Sequence, residues 1–154
     1  MEVCVHLRRG DVSADDPDTA GRFTSSEVMA NSIAQVRSVL AQNGMPSRVR
    51  LFSQGDEKDF AAFRDMGCEL CVDMSALATF RELVEADVLI MSKSSFSYVA
   101  AILNDGVKVY DRYAQSPMST WLERDRDGLV DPVQLQRLIH DRQDGLSRPR
   151  FGVR

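Results

Sequence analysis

Residues 86–106 decide the fold: Ala86-Asp87-Val88-Leu89-Ile90-Met91-Ser92-Lys93-Ser94-Ser95-Phe96-Ser97-Tyr98-Val99-Ala100-Ala101-Ile102-Leu103-Asn104-Asp105-Gly106. The first part is a continuous apolar run, which suits a strand buried on both faces of a sheet. A polar Ser-Lys-Ser-Ser break follows. A helical segment over 95–104 comes next, and Asp105-Gly106 ends it. Strand, serine turn and helix form the repeating unit of a parallel sheet. Working outward, runs of the same kind occur at 3–7, 49–53, 69–73 and 107–111, rich in Val, Leu and Ile and mostly unbroken by polar residues.

Helical patterns separate these runs. Ser25-Ser26-Glu27 opens one that Gly44 closes, with Ile33, Val36, Val39 and Leu40 on one face. A shorter helix starts at Asp56 and carries Phe60 and Phe63. The segment 75–85 predicts another, with Leu77, Phe80, Leu83 and Val84 inward. Asp131-Pro132 starts a last helix bearing Leu135, Leu138 and Ile139, since proline is favoured in a first turn. Alternation of this kind predicts right-handed crossovers. The expected fold is α/β, a Rossmann-like open parallel sheet of five strands in the order 3-2-1-4-5, flanked by helices. One domain should cover residues 1–144, followed by a basic tail over 145–154 that contains Pro149.

The 154 residues fit one domain with a substantial core. A net charge of −4 argues against a nucleic-acid surface, which is usually basic. No apolar run is long enough to span a membrane. The start, Met1-Glu2-Val3-Cys4-Val5, lacks the pattern of a signal peptide. A soluble chain in the cytoplasm is the expectation. Cys68 and Cys71 form a CxxC, but within a strand-like run residues three apart point to opposite faces. No further ligand pair completes a zinc site. Reduced core cysteines are the reading.

In an open parallel sheet the ligand lies beyond the C-terminal strand ends, where strand order reverses. In the order 3-2-1-4-5 that point falls between the first and fourth strands. The first runs into His6-Leu7-Arg8-Arg9-Gly10-Asp11, and the fourth into Ser92-Lys93-Ser94-Ser95. Arginine forks grip phosphate oxygens in two places, and serines opening a helix add hydroxyls to free backbone N–H groups. Gly10 allows a tight turn. GxGxxG after the first strand and GxxxxGK[ST] anywhere are both absent, which argues against dinucleotide dehydrogenases and P-loop enzymes. A serine-hydrolase elbow would need GxSxG, also absent, and the only later histidine is His140 on the last helix. These loops suit a diphosphate.

The stretch His6-Leu7-Arg8-Arg9-Gly10-Asp11 resembles the HxRRxD signature of the α1,2-, α1,6- and protein O-fucosyltransferases. Residues 86–97 with Ala100-Ala101 resemble the later serine motif of those families, and Phe52-Ser53-Gln54-Gly55-Asp56 the strand end between the two. The resemblance covers about residues 3–111. It implies the C-terminal, donor-binding half of a GT-B glycosyltransferase that uses GDP-fucose or a related nucleotide sugar without a metal. It also implies inverting transfer to a glycan or other hydroxyl acceptor, and an acceptor-binding half before residue 3. By position, Arg8 would hold the β-phosphate and His6 would lie near the nucleoside. Arg9 and Asp11 would shape the loop as an ion pair, and Ser94 and Ser95 would meet the diphosphate. Thr79 stands where the α1,6 group carries a base-reading aspartate, with Asp73 the nearest acid upstream. Asp16 stands where that group carries its proposed general base.

Plainer readings accompany each residue. Arg8 and Arg9 could be surface ion-pair partners, His6 a core histidine, the serines a helix cap and Asp16 part of a solvated acidic loop. Lys93 could touch phosphate or water alone. Tyr110, Tyr113 and Trp121 are read as packing against the last helix, with a base or sugar stacked on one of them as the alternative, and the loop from Asp111 to Pro117 as a further donor contact or plain sheet-edge loop. A stand-alone nucleotide- or anion-binding module without transferase activity is the second functional reading. A transferase using another nucleotide sugar is the third.

Overall fold

The computed structural model describes residues 1–145. Six strands and five helices follow one another: β1 (Glu2–His6), α1 (Ser26–Gln42), β2 (Arg48–Ser53), α2 (Ala61–Asp65), β3 (Glu69–Val72), α3 (Ala76–Glu85), β4 (Val88–Ile90), α4 (Ser95–Leu103), β5 (Val107–Tyr110), β6 (Leu122–Glu123) and α5 (Pro132–Gln143). All strands pair in parallel, in the order β3-β2-β1-β4-β5-β6. The predicted order therefore holds, with a sixth strand added at one edge. The tail read at 145–154 falls, beyond Gly145, outside the described residues.

Alternation along β1 sorts side chains to the two faces of the sheet. Val3, Val5 and Leu7 pack with Met29, Ile33, Val36 and Leu40 of α1, Phe60 and Phe63, and Leu135 and Ile139 of α5. Cys4 points to the other face, with Phe52, Leu89, Leu83 of α3 and Ala100 and Ala101 of α4. By the same parity His6 and Arg8 leave the strand on the α3–α4 side, and Arg9 leaves it on the α1 side. Cys68 belongs to the first cluster and Cys71 packs against the second, so the CxxC pair does straddle the sheet. All three cysteines are free thiols, and burial pushes that of Cys4 up to about 12.

Helix starts follow the sequence signals. Ser25, Ser75 and Asp131 accept backbone N–H bonds as N-caps of α1, α3 and α5. Three expectations need correction. The segment from Asp56 opens as a 3-10 turn over Glu57–Phe60 and becomes α-helical only at Ala61, and its Asp56 cap serves Lys58 N–H. Leu77 is 81% exposed: it sits about 200° around α3 from buried Thr79, off the face that Leu83 shares. Trp121 packs on Tyr98 of α4 and on Tyr110, with ring centroids 5.1 and 5.7 Å away, rather than on the last helix. Among the described residues no helix is long and apolar enough to cross a membrane.

Candidate functional site

A cleft of about 300 Å³ opens over the C-terminal ends of β1, β2, β3 and β4, across the point where strand order reverses. His6, Arg8, Arg9, Asp11, Thr79, Ser94 and Ser95 all line it. Ser53, Gln54 and Met74 complete its far wall, and sequence reasoning did not select them as site residues. Their signal was position alone, just past the ends of the second and third strands.

Neighbouring strands hold the β1 loop in place. Leu7 N–H donates to Phe52 O at 3.0 Å, Arg8 N–H donates to Ser92 Oγ at 3.0 Å, and Ser53 Oγ donates to Leu7 O at 2.7 Å. Gly10 turns the chain at a φ of +85°, in the left-handed region that glycine occupies freely. The turn carries Asp11 back to Arg8, and the two form a bidentate pair, Nη2 to Oδ2 at 2.5 Å and Nε to Oδ1 at 3.0 Å. The expected Arg9–Asp11 pair is thereby corrected. Arg9 leaves the strand on the other side and donates to Arg8 O at 2.8 Å and Thr24 O at 2.9 Å, with its guanidinium 4.3 Å from the Phe23 ring centre. The bond from Arg8 holds the Asp11 carboxyl below the usual carboxylate range.

Across the cleft, Ser94 occupies the N-cap position of α4, but its hydroxyl makes no capping bond. Ser94 is buried and Ser95 is exposed. The first-turn N–H groups of α4 have no acceptor within the helix, as at any helix start. Hydroxyls and N–H groups both remain available at the positive end of the helix dipole. Lys93, Asp111 and Arg112 line a second cleft instead. Asp16 does not line the first cleft: its oxygens accept from Asp18 N–H and Thr19 Oγ1, both at 3.0 Å, within an exposed turn.

His6 forms part of the cleft wall, and its ring centroid lies 5.4 Å from that of Phe96. Its Nδ1 is buried without a hydrogen-bond partner. Burial pulls the imidazole down to about 4, and the Arg8 guanidinium acts in the same direction. His6 is therefore neutral at pH 7, able to give or take one hydrogen bond. In the unfolded chain it titrates near 6.5. On acidification the unfolded state takes up the proton first, so stability is intact above about pH 6.5 and falls as pH drops toward 4. The contribution is about 2–3 kcal/mol, discounted because part of the ring meets the cleft. Urea unfolding of His6→Asn beside the parent, from pH 7 to 4, should show a shallower loss in the variant. Equal slopes would contradict the buried neutral imidazole.

Among the described residues, no group of three or more His, Cys, Asp or Glu is placed to hold a metal ion. No protein-family model matches the chain, and no curated protein matches it.

Proposed function

We propose that this cleft binds the diphosphate of a nucleotide sugar, and that the chain is the donor-binding part of a glycosyltransferase similar to the fucosyltransferases. One observation carries the reading: Arg8 and the open first turn of α4 face one cleft where strand order reverses. Arg8 would share its fork between Asp11 and a β-phosphate. Ser94, Ser95 and the α4 N–H groups would take the remaining oxygens. Thr79 and the neutral His6 edge would meet the nucleoside.

In an inverting displacement the bond from the anomeric carbon to the diphosphate breaks as the acceptor oxygen attacks, and the proton of the acceptor hydroxyl passes to a base or to water. Negative charge then gathers on the departing diphosphate. Donors already fixed on strand ends stabilise that charge without reorganising, which is the usual largest electrostatic contribution. GDP-fucose is the proposed donor, a glycan or other hydroxyl compound the acceptor, and a preceding half, in a GT-B arrangement, would complete the enzyme.

Calorimetric titration with GDP, UDP and pyrophosphate tests this. Arg8→Ala should weaken GDP binding about 10- to 100-fold, the value of one or two charge-assisted hydrogen bonds. Unchanged affinity in that variant would remove the diphosphate from this cleft. Equal binding of all three ligands would keep the phosphate site and drop guanine selectivity. The position of Asp16 favours a second reading, a nucleotide-binding module without transfer activity, because both its oxygens serve its own turn.

A further inference from the structure

A second cleft, of about 500 Å³, opens on the α1 side of the same sheet rim, over the ends of β4, β5 and β6. Its volume is that of an ordinary small-molecule site. Phe23, Thr24, Ser25 and Val28 bring the start of α1 into its wall. The two clefts are neighbours: Ser94 and Ser95 line the first while the adjoining Lys93 lines the second.

Most charges around it are already cancelled. Arg124 Nη2 donates to Asp111 Oδ2 at 2.8 Å, and Thr24 Oγ1 donates to the same oxygen at 2.7 Å. Arg112 Nη2 donates to Glu123 Oε2 at 2.6 Å. Both acids are thus committed to guanidinium groups, and the Phe23 ring is covered by Arg9. The third acid, Asp125, accepts at Oδ1 from the N–H groups of Asp127 and Leu129, at 3.0 and 2.8 Å. Two lining charges have no ion-pair partner among the described residues, Lys93 and Arg126, and both are cationic. In a chain of net charge −4 this positive excess is local.

Two further features have the same sign. The positive end of the α1 dipole lies at Ser25, whereas Glu27, the acid of that first turn, does not line the cleft. Arg124 has no exposed side-chain surface, and its Nε–H has no acceptor. Burial pulls the pKa of Arg124 down, so its charged form gains from negative charge placed nearby. Concave walls of low dielectric focus such a field on whatever enters. We infer that this second cleft is an oxyanion site, taking a carboxylate, sulfate or phosphate group held by the Lys93 ammonium and the Arg126 guanidinium. The site itself does not rest on the donor reading of the first cleft. Where that reading holds as well, the ligand seated here beside the diphosphate is the acceptor, and it is an acidic one.

Amide chemical shifts of the full chain test the site, titrated at constant ionic strength with millimolar inorganic phosphate, glucuronate and glucose. Phosphate, glucuronate or both should move the Val28, Arg124 and Arg126 amides. Glucose, which matches glucuronate apart from the carboxylate, should leave them in place. A response to one oxyanion alone would keep the site and name its group, tetrahedral or planar. Lys93→Gln combined with Arg126→Gln should weaken the response at least about tenfold, and the spectrum reports whether the variant is folded. Arg8→Ala should leave it intact. A chain that responds at these amides but ignores GDP at Ser94 and Ser95 would sink the donor reading and support the second site. Silence toward both oxyanions, an equal response to glucose, or full affinity in the double variant would overturn the inference, as would shifts confined to the first cleft.

Discussion

Asp111→Ala is expected to destabilise the fold by about 3–5 kcal/mol, because it leaves the Arg124 guanidinium charged and without its counter-ion inside the protein. That side chain has no exposed surface, and burial already pulls its pKa down, opposed only by Asp111. The same substitution strips Thr24 Oγ1 of its acceptor. In a domain of this size the loss corresponds to a melting temperature roughly 6–20 °C lower. Thermal and urea unfolding would measure it. Removing both charges in Asp111→Ala with Arg124→Met should recover a large part of the loss, since an apolar replacement leaves no charge stranded. A single variant within about 1 kcal/mol of the parent would show that water reaches Arg124 and that the pair is not a structural anchor.

Gly128→Ala should be almost as damaging, for a steric reason. A Cβ at this position would lie 2.1 Å from Val28 O and 2.9 Å from Val28 C, inside the backbone of α1. The residue also sits at a φ of +89°, which disfavours any side chain. Its carbonyl accepts from Ser32 Oγ at 2.5 Å, so moving the loop away breaks the contact next to Arg124. A loss of about 3 kcal/mol or more is expected. Gly44→Ala is the control. Gly44 has a φ of +67° and nothing within 4 Å of its added Cβ, so only conformational strain of about 1 kcal/mol remains. Similar losses in both variants would mean that the loop at Gly128 can move off α1.

The central sheet was legible because strands covered on both faces are written as unbroken apolar runs, and five such runs fix a parallel order once helices separate them. Leu122-Glu123 escaped notice because two residues carry no periodicity; only their pairing with Val109 and Tyr110 defines them. Leu77 misled for the opposite reason, since an apolar residue in a short helix can lie off the buried face. The cleft was legible as far as it depends on strand ends rich in donors, which brought Arg8 and Ser94–Ser95 together. The partner of Arg8 was not, because adjacent arginines on a strand end diverge and the turn at Gly10 returns Asp11 to the earlier one. Gln54 and Met74 carry no distinctive chemistry, and the second cleft draws on Phe23, Lys93, Arg112 and Arg124, which are far apart in sequence.

The two rims of the sheet have a consequence for how the chain behaves in company. An exposed strand edge is a template for pairing with another molecule, and the hazard grows with its length. Here one outer strand is β3, four residues long, with Glu69 paired to Arg48 of its neighbour at 2.6 Å. The other is β6, two residues long and bearing the Glu123–Arg112 pair. Each offers a newcomer only a short run of free backbone groups flanked by charge. The architecture thus works against edge-to-edge aggregation, even though its interior strands are among the most apolar stretches of the chain.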